Sequence, residues 1–125
     1  MRDQPASKGF EVDVSDLDGV AVVSVRGSLD LASAPRLSET AYPAAEVASN
    51  GLVFDLTGVQ FMSSSGVTVL VRTIDLLPDG ASAAIVASQP AVQRPITLSG
   101  LDRVITTVPD VASAIEFVSP ATPNR

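Results

Sequence analysis

The chain has 125 residues, the usual size of one domain, and 46% of them are hydrophobic, enough to build a single core. Fourteen acidic against eight basic residues leave a net charge of −6, so the average field repels phosphate backbones and anionic lipid, and neither nucleic acid nor membrane insertion is expected. Cysteine and histidine are both absent, which removes disulfides, thiolate and imidazole metal ligands, and the base of a Ser-His-Asp triad. The acidic residues are scattered rather than clustered, so the reading is of a protein without catalysis, metal or cofactor.

The first element is a hairpin. Phe10, Val12 and Val14 alternate with acidic residues, Asp18-Gly19 is a tight-turn signal, and Val20 to Arg26 continues as a β-branched strand. Ser33 followed by Pro35 marks a helix start, after which Leu37, Ala41, Ala44 or Ala45, and Ala48 recur at helical spacing, with Pro43 as an expected kink. Asn50-Gly51 closes that helix, and Leu52 to Leu56 is an apolar run suited to a strand buried on both faces. From Phe54 the chain is expected to pass through a glycine bend at Gly58 to Phe61 and Met62, two apolar residues suited to anchoring a loop.

A second helix follows, its buried stripe predicted at Val67, Leu70, Val71, Ile74 and Leu77, with Thr68, Arg72 and Asp75 on the opposite face. Pro78-Asp79-Gly80 ends it. Ala83 to Ala87 reads as an inner strand, Pro90 to about Gly100 as a third helix interrupted by Pro95, and Val104 to Val108 as a last strand. Asp110 caps a closing helix through Val118. The alternation predicts an α/β fold: one domain over residues 9–119, a mixed, mostly parallel sheet with an N-terminal hairpin and about four helices, and flexible tails at 1–8 and 120–125. No apolar run approaches the ~20 residues of a membrane span. Residues 1–9 do not read as a secretory signal, so a cytoplasmic location is expected.

Loops at the carboxyl ends of parallel strands are where ligands and partners meet such a fold. Ser63-Ser64-Ser65-Gly66 lies in one of them. One serine is explained by helix capping, worth about 1 kcal/mol, but three in succession exceed what a cap requires. A phosphate there would face a positive helix end and add about −1.5 to −2 charges to a docking surface. Asp30 reads equally as a turn residue or a docking residue, and Arg72 and Asp75 as a solvated helix face.

Three segments, Gly27-Ser28-Leu29-Asp30, Phe54-Asp55-Leu56-Thr57-Gly58-Val59 and Phe61-Met62-Ser63-Ser64-Ser65-Gly66, together with the element order over roughly Phe10 to Val118, resemble the STAS domain family, its bacterial anti-sigma factor antagonists above all. The resemblance implies a protein that binds an anti-sigma factor which is also a serine kinase, so releasing a sigma factor. Phosphorylation ends the binding, and a serine phosphatase restores it. By the same resemblance the phosphoacceptor is Ser64, and Asp30, Ser63, Ser64, Ser65, Gly66 and Thr68 form the partner-binding set. Ser63 stands where the family usually has an aspartate, Ser28 where a glutamate is common, and Val67-Thr68 where Leu-Gly is usual. The missing carboxylate at Ser63 keeps open an alternative, an unphosphorylated STAS adaptor such as a subunit of a lipid-transport ATPase or a signalling scaffold. A nucleotide or small-ligand sensor has no glycine-rich phosphate loop behind it.

Overall fold

A computed structural model describes residues 9–119; the predicted tails at 1–8 and 120–125 lie outside the described residues. Strands β1 (Phe10–Leu17) and β2 (Val20–Leu29) form the hairpin, followed by α1 (Ala34–Val47), β3 (Gly51–Met62), α2 (Ser64–Asp75), β4 (Ser82–Val86), α3 (Pro90–Ser99), β5 (Thr106–Val108) and α4 (Val111–Val118). The predicted element order is the observed one. The hairpin turn places both Asp18 (φ 55°) and Gly19 (φ 87°) in the left-handed region, as a two-residue turn matched to strand twist requires.

The five strands lie in sequence order, β1 antiparallel to β2 and the remaining pairs parallel. The three crossovers all step the same way along the sheet, so a common hand puts α1, α2 and α3 on one face. The main core lies there: Val23, Val25, Phe54, Leu56 and Ile85 pack under Leu37, Ala41, Leu70, Val92 and Ile96. After the last strand the chain turns to the other face, where α4 lays Ala114 and Val118 on Val20, Val22, Val53, Ala84 and Val86. Burial of Leu52, Val53 and Phe54 on both sides follows from these two layers.

Three local expectations change. Strand β3 does not stop near Leu56 but runs to Met62, since Gly58 is a strand residue opposite Arg26 rather than a bend. A Cβ at Gly58 would lie 2.6 Å from Cγ of Arg26, and the β2–β3 register slips on either side of this point, which is how a bulged pair accommodates a long strand. On α2 Val69 and Thr73 are buried outside the expected stripe, Thr73 fully enclosed with its hydroxyl donating to the Val69 carbonyl at 2.7 Å, while Val71 is 40% exposed. Strand β5 begins at Thr106, leaving Val104 exposed after a short 3-10 turn at Leu101–Arg103. Helices α1 and α3 each continue through their internal prolines, Pro43 and Pro95.

Candidate functional site

Strands β2 and β3 end in register, Leu29 beside Met62, and each delivers a loop at the same edge of the sheet. The two loops are tied together: the N–H of Ser63 donates to the Leu29 carbonyl at 2.9 Å. Asp30 and the serine triplet, distant in sequence, are therefore neighbours through the backbone.

The loop after β2 is a closed polar knot. One carboxylate oxygen of Asp30, Oδ1, accepts the N–H groups of Ala32 at 3.0 Å and Ser33 at 3.1 Å, the turn geometry that aspartate favours. The Ser33 hydroxyl accepts the Asp30 N–H at 2.9 Å and donates to the Ser28 carbonyl at 2.7 Å. Ser33 is thus at the head of α1 as expected, yet its side chain makes no cap bond to the helix and instead holds the turn. It is a buried contributor that sequence reading treated only as a helix start; its signal was the Asp30-x-x-Ser33 spacing.

In the serine loop the three hydroxyls have different surroundings. Ser63 is the N-cap of α2, with extended backbone and its Oγ accepting the Ser65 N–H at 3.2 Å. Its carbonyl accepts from Gly66 at 3.0 Å and Val67 at 3.3 Å, so the first turn of α2 is largely satisfied before any ligand arrives. Ser64 is the first helical residue and exposed, and among the described residues its hydroxyl engages no other group. Ser65 is half-buried. Thr68, one turn further on, is exposed on the same side as Ser64 and donates its hydroxyl to the Ser64 carbonyl at 3.1 Å.

Gly66 is fixed by packing rather than by backbone angle. A Cβ there would sit 2.7 Å from Leu29 Cγ and 2.9 Å from Met62 Cγ, both side chains in the core. Met62 thus anchors the loop as predicted, whereas Phe61 is half exposed. Arg72 and Asp75 lie on the exposed side of α2, and neither forms an ion pair among the described residues. No group of three His, Cys, Asp or Glu side chains suited to a metal occurs among the described residues.

Fold and loops together define the class of protein: a single α/β domain whose carboxyl-edge loops are preassembled by main-chain and serine contacts. The STAS domain model matches residues 11–114, and the chain belongs to that family. It is 35% identical over 98 residues to the anti-sigma-F factor antagonist RsfB of Mycobacterium tuberculosis, covering 78% of this chain and 80% of that protein. The crystal structure of an anti-sigma factor antagonist from Mycobacterium paratuberculosis is 36% identical and superposes with a TM-score of 0.84, covering 92% of this chain and 97% of that one. The Bacillus cell fate determinant SpoIIAA in its phosphorylated form is similar in fold, with a TM-score of 0.63 at 19% identity over 86% of this chain and 99% of that one. No helix among the described residues is long and apolar enough to cross a membrane.

Proposed function

We propose that this chain is an anti-sigma factor antagonist that docks through the Asp30 and serine loops onto an anti-sigma factor that is also a serine kinase, freeing a sigma factor in the cytoplasm. Phosphorylation of Ser64 ends the binding and a serine phosphatase restores it. The likeness to two mycobacterial antagonists over most of the chain supports the general function. For the switch, the observation that carries the reading is the division of labour in the triplet: Ser63 spends its oxygen on the cap, while Ser64 is exposed and uncommitted at the first position of α2. A phosphoryl group on that oxygen is accommodated by the helix end and places about −1.5 to −2 charges on the docking surface.

Ser63 in place of the family aspartate retains the cap but leaves no carboxylate beside the acceptor. That observation favours a second reading, a docking adaptor that is not phosphorylated. One experiment separates them. The chain is incubated with ATP and each anti-sigma factor kinase to which it binds, and the product is mapped by mass spectrometry. Phosphate on Ser64 together with loss of binding is the expected result. Phosphate confined to other residues, or stable binding with no modification, overturns the switch and leaves the adaptor.

A further inference from the structure

Between the end of β3 and the outer side of α3 lies an open groove of about 490 Å³, lined by Phe61, Met62, Ala91, Arg94, Pro95 and Leu98. Helix α3 is apolar on two sides. Val92 and Ile96 are buried against the sheet, whereas Ala91, Pro95 and Leu98, at steps of four and three, form a second stripe that faces the groove. Leu98 is 80% exposed and Phe61 50%. Single exposed apolar residues need no explanation, but two large ones bordering one groove at the edge of a docking loop do.

We propose that this groove receives an amphipathic helix of the binding partner, one that presents apolar side chains to Phe61 and Leu98 and a carboxylate to Arg94. The proposal rests on the reading of this chain as a partner-binding protein and adds where, and to what chemistry, the partner docks. Charge complementarity selects the occupant. Arg94 is the one charged side chain lining the groove, it makes no ion pair among the described residues, and it stands out on a chain of net charge −6. Arg94 is exposed at the groove, and a guanidinium there can receive a carboxylate through paired N–H donors. Two copies of the chain, each carrying −6, repel one another, which disfavours a second copy as the occupant. Length agrees as well: the ten residues of α3 extend about 15 Å, enough to flank a helix with anchors at positions i, i+4 and i+7.

Met62 is in the groove wall and Ser64 is two residues on, so the groove adjoins the serine loop along the chain.

The test has two arms. In the first, the isotope-labelled chain is titrated with a 16-residue helical peptide carrying leucines at i, i+4 and i+7 and a flanking glutamate, and with the same peptide carrying lysine instead. The glutamate peptide is expected to shift the amide signals of Phe61, Ala91, Arg94 and Leu98 and to bind at least tenfold more tightly than the lysine peptide, with Arg94→Glu reversing the preference. Equal response to both peptides, shifts elsewhere, or shifts of these signals with protein concentration alone overturn the proposal, the last result naming a second copy as the occupant. In the second arm, Phe61→Ser, Arg94→Glu and Leu98→Ser are combined and binding to an anti-sigma factor kinase is measured after a check that the thermal midpoint is retained. At least tenfold weaker binding is expected, and unchanged binding overturns the groove. If the wild-type chain binds no such kinase, the general function fails instead, and the peptide arm still decides the groove on its own.

Discussion

Gly66 faces Leu29 so closely that an added Cβ would lie 2.7 Å from Leu29 Cγ and 2.8 Å from Leu29 Cδ2. The first turn of α2 is thereby pressed onto the end of β2, and this contact, with the bond from Ser63 N–H to the Leu29 carbonyl, sets the height of the serine loop above the sheet.

Gly66→Ala is expected to destabilise the domain by about 1–3 kcal/mol, because Leu29 and Met62 are both enclosed and have little room to withdraw. Urea unfolding is the measurement. The gain in helix propensity, about 1 kcal/mol at most, has the opposite sign, so an unchanged or more stable variant would show that the loop relaxes away from β2.

Ser63→Ala removes the oxygen that accepts the Ser65 N–H and is expected to lose about 0.5–2 kcal/mol. Ser63→Asp keeps an acceptor and adds a charge favoured at a helix start by about 0.3–1 kcal/mol, so it should be at least as stable as the parent. The pair separates cap from charge at one of the positions where the resemblance to the family leads to a different residue, an aspartate. If Ser63→Asp raises the rate of Ser64 phosphorylation without changing the unfolding midpoint, the missing carboxylate matters to the kinase and not to the fold.

How much of this was legible from sequence differs by element. The hairpin and the helix starts were readable because each carries local chemistry: Asp18-Gly19 for positive φ, Pro35 and Pro90 in first helical turns, Asp110 as a cap. The length of β3 was not, since Thr57-Gly58 looks like a turn until Gly58 is seen to make room for Arg26 of the neighbouring strand. Burial of Thr73 in place of Val71 shows the same limit: a threonine can go inside once its hydroxyl bonds back to Val69, and periodicity does not report that. At the candidate site the triplet and Asp30 were visible as residues, but the bond from Ser63 to Leu29 and the role of Ser33 depend on pairing between distant strands. The Phe61 and Leu98 groove was invisible for that reason.

Asp30 carries a turn through Oδ1, and its replacement should reveal whether it also contacts a partner. Asp30→Ala, which leaves the N–H groups of Ala32 and Ser33 without an acceptor, is expected to lose about 1–2 kcal/mol in thermal or urea unfolding. Asp30→Asn keeps an acceptor and should stay closer to the parent. If the asparagine variant is stable yet binds an anti-sigma factor kinase tenfold less tightly, the charge serves docking. Parallel losses in stability and binding would assign it to the turn alone.

Low pH should weaken the cap of α4. Asp110 accepts the Ser113 N–H at 2.8 Å, and that bond, followed by the contribution of the Ser113 hydroxyl, holds the Asp110 carboxyl below its ordinary range near about 4. A carboxylate whose pKa is lowered by folding adds stability that is complete above its unfolded value and is lost as pH falls through the folded value. The stability difference between the parent and Asp110→Asn is therefore expected to be present at neutral pH and to close below about pH 4. A difference that grows on acidification would reverse the assigned sign.

Ser64→Glu should leave the fold intact, because position 64 is exposed at the start of α2, where negative charge is favoured by about 0.3–1 kcal/mol. Ser64→Ala, at a hydroxyl with no partner among the described residues, should fall within about 0.5 kcal/mol of the parent. With both variants folded, their binding to an anti-sigma factor kinase can be compared without correction for unfolding: the alanine variant is expected to bind like the parent and the glutamate variant at least tenfold less tightly. Equal binding would mean that one charge at this oxygen does not reach the partner, and the two charges of a phosphate would then have to act by size or by reordering the loop. Helix-start geometry makes reordering the weaker explanation, since Ser63 already closes the first turn and a negative group at Ser64 reinforces it.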